Sequence, residues 1–152
     1  MHGIPDSRVL QDGDLLSIDV SLYTAEGFHG DNCGSIVVGT SNPELDRLIE
    51  TTKTAVDKAI AICKPGECFS SVGRVIESYA NAEGYSVIHE FCGHGTGTWI
   101  HMQPLVLHYK NNVKIPMRPG MVFTIEPVLV EGSRRIRNWS DGWTASTVDG
   151  GR

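Results

Sequence analysis

The chain has 152 residues, of which 40% are hydrophobic and 20% charged, with a net charge of −5. That length suffices for one domain with a real core, which buries about 68–70% of its unfolded surface. The acidic balance, with no basic cluster larger than Arg134, Arg135 and Arg137, argues against nucleic acid as a partner, and no apolar run reaches the ~18 residues of a membrane span.

The chain opens MHGIPDSR, polar and turn-like, without a signal-peptide pattern. Leu15–Tyr23 alternates as a strand with Asp19 in its middle, and Gly27–Val38 reads as a second strand carrying Asp31. Thr24-Ala25-Glu26 between them predicts a hairpin centred near Ala25, which places Asp19 opposite Asp31 on one face. Like charges in that position repel, and a cation between them reverses the sign; the competing reading is two solvated aspartates.

Ser41-Asn42-Pro43-Glu44 is a helix start: a capping residue, Pro at the first position and an acid in the first turn. Leu45, Leu48, Ile49, Thr52, Val56, Ala59, Ile60 and Cys63 recur as one helical face, which Lys64-Pro65-Gly66 ends. A second helix is predicted from Ser70 or Ser71 to Gly84, burying Val72, Val75, Ile76, Tyr79 and Ala80. A strand over Tyr85–Phe91, a glycine-rich turn at Cys92–Gly97, a loop over Asn111–Pro119 and a strand over Met121–Val130 follow. The polar tail holds an insertion-like loop, Gly132–Asn138, and a further strand near Trp143–Val148. Cys33, Cys63, Cys68 and Cys92 lack a C-x-x-C spacing, so free thiols in a reducing, cytosolic-type compartment are expected.

An internal repeat sharpens this picture. Leu10–Val20 (LQDGDLLSIDV) aligns with Met117–Pro127 (MRPGMVFTIEP), matching Gly13 to Gly120, Ser17 to Thr124 and Asp19 to Glu126. An H-x-x-P precedes each unit, at His2–Pro5 and His101–Pro104. Two halves related by a pseudo-twofold would bring Asp19 and Glu126 toward one centre. The candidate ligands are Asp19, Asp31, His94 and Glu126, with His29 open as a competitor by spacing. Glu126 could instead pair with an arginine, and His94, between two glycines, could be a turn residue. Carboxylates with one imidazole suit Mn, Fe, Co or Zn, and two bridged ions would form a hydrolytic centre.

HGIP, the hairpin aspartates with HGD, CGHG followed seven residues after its histidine by His101, FTIEP and DGWTA together resemble the type 1 methionine aminopeptidases over nearly the whole chain. The resemblance implies an α+β pita-bread fold, two pseudosymmetric halves with helices packed on a curved antiparallel sheet. It implies two divalent metal ions (Co, Mn, Fe or Zn) held by Asp19, Asp31, His94 and Glu126, with Asp31 bridging. Glu126 would also steer the attacking water. His2 and His101 would hydrogen-bond the scissile peptide and its transition state, and Trp143 would line a methionine pocket. The implied activity is removal of the initiator methionine from nascent polypeptides, by a cytoplasmic monomer with the ribosome as a candidate partner. The family pattern also carries a fifth ligand, a glutamate in a final strand after DGWTA, and a helical segment ahead of HGIP. Residues 1–152 are therefore expected to be one catalytic domain incomplete at both ends, with its activity as written in question. An aromatic residue usual before the second histidine is Ile100 here. The competing classes are a non-catalytic pita-bread binding protein and an Xaa-Pro peptidase; the retained ligands argue against the first, HGIP and DGWTA against the second.

Overall fold

A computed structural model describes residues 1–152. The chain runs β1 (Leu15–Tyr23), β2 (His29–Val37), α1 (Pro43–Ala61), α2 (Ser70–Ala82), β3 (Ser86–Val87), β4 (Gly93–Gly95), β5 (Met102–Val106), β6 (Leu129–Val130), β7 (Ile136–Asn138) and β8 (Ala145–Thr147). The strands pair β1–β2, β3–β6, β4–β5 and β7–β8, all antiparallel, and an isolated bridge from Gly95 to Phe123 joins further chain to β4.

α1 forms where the sequence places its cap. The Asn42 side chain accepts from the N–H groups of Glu44 (3.1 Å) and Leu45 (3.0 Å), satisfying donors that the first helical turn leaves unpaired. Its buried face differs from the expected one. Leu45, Leu48, Thr51, Ala55 and Ala59 are buried, whereas Ile60 is exposed. The reason is steric: Thr51, Ala55 and Ala59 form a ridge of small side chains at i+4 spacing, against which Val72, Ile76 and Ala80 of α2 pack. Phe69, Val87, Val106, Met117 and Leu129 complete this core. Each large side chain fully buried here stabilises the fold by about 1.5–3 kcal/mol.

The hairpin has the expected strands but a different register. Asp19 faces Cys33, and Asp31 faces Ser21. The connection is five residues, Thr24–Phe28, closed by Thr24 N–H to Phe28 O (2.8 Å) and Gly27 N–H to Thr24 O (3.0 Å). The partner shift is two residues, so every side chain keeps its face. Ser17, Asp19, Ser21, Asp31, Cys33 and Ser35 share one side; Leu16, Ile18, Val20, Leu22 and Ile36 share the other, where Ile18, Val20, Leu22 and Ile36 are about half exposed.

Four other expectations are corrected. Cys92–Gly97 is not simply a turn, because Gly93–Gly95 is strand β4. The strand expected over Met121–Val130 is regular only at Leu129–Val130. Its ladder is interrupted by side chains: Thr124 Oγ1 accepts the His94 N–H (3.0 Å), Glu126 N–H donates to His108 Nε2 (3.2 Å), and Pro127 has no N–H to give. The strand expected over Tyr85–Phe91 likewise shortens to Ser86–Val87, since beyond Ile88 the His89 N–H turns to the Glu90 carboxylate (3.1 Å). Finally, Gly132–Asn138 contains β7, which pairs with β8. The repeat survives in the backbone: Gly13 and Gly120 both have left-handed φ, +86° and +85°.

Candidate metal centre

Three segments distant in sequence deliver donors to one place. Asp31 comes from β2, His94 from β4 and Glu126 from the irregular strand after Phe123; one ligand atom of each lies within 4.8 Å of the others. His94 reaches this point because its neighbours are glycines. A Cβ on Gly93 would lie 2.4 Å from Thr124 O, and one on Gly95 would lie 2.5 Å from Gln103 O. Backbone presses on β4 from both sides, and only glycine leaves room.

The His94 ring is oriented by its Nδ1, which donates to Gly95 O (3.1 Å). Nε2 then faces Glu126 Oε1 at 3.3 Å and Asp31 Oδ2 at 3.5 Å. Two carboxylates converging on one imidazole nitrogen call for positive charge at that point, supplied by a proton on Nε2 or by a metal ion. Donors about 2.1 Å from a common ion lie ~3.0 Å apart at right angles and ~3.4 Å apart in a tetrahedron, so the two spacings from His94 fit a first-row divalent ion. One imidazole with carboxylates is also the donor chemistry such ions select.

Asp19 lies at the open edge of the cluster, exposed but close to Asp31. Burial and the negative charge of Asp31 push its carboxyl above the usual range. Glu126 is also pushed up, mainly by burial and further by Asp31 and Asp19, against the opposing pull of the Thr124 hydroxyl and His94. The Cys33 and Cys92 thiols are raised by burial and by these same carboxylates, so neither offers a ready thiolate.

Neighbouring side chains hold the acids in place. Ser21 Oγ donates to Asp31 Oδ1 (3.2 Å). Thr124 Oγ1 donates to Glu126 Oε1 (2.5 Å) while accepting from the His94 N–H, so one hydroxyl links two candidate ligands. Ser17 stands at the equivalent place in the repeat, two residues before Asp19, a signal in the sequence that pointed to Thr124. His108 gave no such signal: it is fully buried, and burial pushes its pKa down to about 4. His29, the competitor, turns its Nδ1 to Gly97 O (3.0 Å) and stacks near Tyr23, outside the cluster.

The remaining candidates make aromatic contacts. The His101 ring stands edge-on to His94 at 4.5 Å. His2 lies between Phe91 (4.7 Å) and Trp143 (4.8 Å). Two backbone bonds, Met1 N to Ala145 O and Ala145 N to Met1 O, tie the first residues to β8 and so bring His2 to Trp143. The DG of DGWTA has a structural use: Asp141 accepts from the N–H groups of Trp143 (2.9 Å) and Thr144 (2.8 Å) and fixes the turn presenting the indole. Trp139, for which the sequence suggested nothing, donates its indole N–H to Ser146 on β8.

Residues 1–148 match metallopeptidase family M24. The chain is 45% identical over 148 residues to methionine aminopeptidase 1D, chloroplastic/mitochondrial, of Arabidopsis thaliana, covering 97% of this chain and 42% of that protein. It is 47% identical to methionine aminopeptidase 2 of Mycobacterium tuberculosis, covering 97% of this chain and 52% of that one. The chain therefore spans about half the length of these relatives. A crystal structure of methionine aminopeptidase from Rickettsia prowazekii superposes with a TM-score of 0.95 at 36% identity, over 99% of this chain and 61% of that one. The α+β pita-bread fold implied by the resemblance is thus the fold observed. A prolidase from Thermococcus sibiricus superposes less well, with a TM-score of 0.74 at 28% identity over 83% of this chain and 34% of that one.

Proposed function

The chain belongs to metallopeptidase family M24, a family defined by a metal cofactor, and from that premise we propose that it carries the catalytic centre of an aminopeptidase that removes N-terminal methionine from nascent polypeptides. The observation that carries this reading is the convergence of Asp31, His94 and Glu126 donors from three segments. Names of relatives at 41–48% identity support methionine as the residue released.

Asp19, Asp31, His94 and Glu126 would hold two divalent ions, Co, Mn, Fe or Zn. Bound there, the ions supply an activated water and polarise the scissile carbonyl. The chain's own groups do the rest. Thr124 holds Glu126 Oε1, which leaves Oε2 free to take a proton from the attacking water and pass it to the leaving amine. His101, beside His94, and His2, between Phe91 and Trp143, would hydrogen-bond the peptide group. Phe91, His2 and Trp143 form an aromatic surface suited to a thioether side chain. The working protein is proposed to be a cytoplasmic monomer that meets its substrates at the ribosome; relatives named as chloroplastic or mitochondrial make the compartment a separate question.

The test is chelator-sensitive release of methionine from Met-Ala-Ser, measured beside an Xaa-Pro dipeptide. Restored activity on Met-Ala-Ser after adding Mn or Co supports the reading. Cleavage of the Xaa-Pro substrate alone would transfer the chain to the prolidase side of the scaffold.

A further inference from the structure

His108 has no part in the mechanism above, yet it is the most deeply buried polar side chain near the site, with no exposed surface. Its Nε2 accepts the Glu126 backbone N–H at 3.2 Å, and its Nδ1 is buried with no partner at all. With Nε2 accepting, a neutral ring carries its proton on Nδ1, so an N–H donor is left orphaned in the interior. For stability alone, an apolar side chain would suit this position better. The one polar task its ring performs is at Glu126.

The segment carrying His108 is itself held firmly. A Cβ on Gly73 of α2 would lie 2.2 Å from Tyr109 O and 2.5 Å from Leu107 O, so the helix touches the backbone on either side of His108. Glu77, one turn further along α2, accepts the Lys110 N–H at 3.0 Å and pairs with His89 at 3.2 Å, and His89 stacks on Tyr109 at 3.9 Å. The core helix thus fixes residues 107–110. His108 passes that constraint to residue 126, where no regular ladder exists and Pro127 contributes no N–H.

We propose that His108 is a positioning residue: its ring nitrogen anchors the Glu126 backbone to the α2-braced segment and so sets where the Glu126 carboxylate stands among the metal donors. This rests on the metal reading above, deepening it by a residue that touches neither ion nor substrate.

Two variants separate the acceptor from the packing. His108→Leu removes the acceptor, and His108→Gln restores an amide oxygen close to the position of Nε2. Both are titrated with Mn2+ by calorimetry, and Glu126 amide exchange is followed by NMR in the metal-free protein. Loss of such an outer partner weakens metal binding by about 10–100-fold. The expected result is that loss for His108→Leu, recovery of most of it for His108→Gln, and slow Glu126 exchange in the parent that quickens in His108→Leu. Unchanged Mn2+ affinity in His108→Leu overturns the proposal, as does equal weakening in both variants, which would mean packing alone. If His108→Leu does not fold, the parent decides: a Glu126 amide that exchanges as fast as exposed amides overturns the proposal. A parent that binds no Mn2+, but whose Glu126 exchange still depends on His108, removes the metal reading and leaves the anchor standing.

Discussion

Thr124→Val is the substitution that most directly probes how the site is held. Valine keeps the shape of threonine and removes one hydroxyl, which serves two partners at once. The His94 N–H loses its acceptor at 3.0 Å, and Glu126 Oε1 loses its donor at 2.5 Å. The first loss strands a buried backbone donor, costing about 1–3 kcal/mol. The second removes a charge-assisted bond, but the Glu126 side chain is 38% exposed, so water replaces part of it and the low end of its range, about 1–1.5 kcal/mol, applies. Together the variant should lose about 2–4.5 kcal/mol, read as a lower urea midpoint at unchanged slope. It should also bind Mn2+ less tightly at neutral pH, because the hydroxyl is one of the influences holding the Glu126 pKa down. Thr124→Ser, which restores the hydroxyl, should recover most of both. A valine variant matching the parent in midpoint and Mn2+ affinity would refute the linkage between the two ligands.

Other outcomes follow from the same geometry. Ile76→Ala empties a position with no exposed surface and should cost about 2–5 kcal/mol in urea unfolding; a loss well under that range would mean that α1 and α2 can close the gap. Asp19 and Glu126 have raised folded-state pKa values, so the stability that their protonation gives the metal-free protein is full below about pH 4 and fades as pH rises through the raised values. Mn2+ competes with those protons, so its upward shift of the melting temperature should grow as pH rises from about 4 through the raised pKa values; a shift that shrinks over that rise contradicts the assignment. Asp141→Ala frees the turn bearing Trp143; KM for a methionyl peptide should rise while kcat holds, as steady-state kinetics will report.

What was legible in the sequence was whatever depends on spacing within a short stretch. The α1 cap is written in Asn42 and Pro43, and the hairpin in its alternation and short loop. The repeat places the acids of the two halves in correspondence. Less legible was whatever depends on how one segment meets another. Ala55 and Thr51 look unremarkable beside Ile60, yet their small size decides which side of α1 faces α2. The broken strand around Glu126 could not be foreseen, since its N–H is taken by His108 from eighteen residues away. The two-residue error in hairpin register did no harm to the grouping of Asp19 with Asp31, because parity rather than partner identity determines the face.

That parity carries a consequence for assembly of the ribbon. A slip by one position would turn greasy side chains into the acid-bearing face, and is opposed by the whole alternation. A slip by two is nearly silent to hydrophobicity, yet it displaces the aspartates by about 7 Å relative to each other. The Thr24–Phe28 turn, the Ser17–Ser35 hydroxyl pair at 2.7 Å, the bonds from Gly13 N–H to Val38 O and from Val38 N–H to Asp14 O (both 2.8 Å) and the coming together of the charged groups distinguish the two alignments. In this chain, the acid cluster and the contacts at both ends of the ribbon fix an alignment that hydrophobicity alone leaves open.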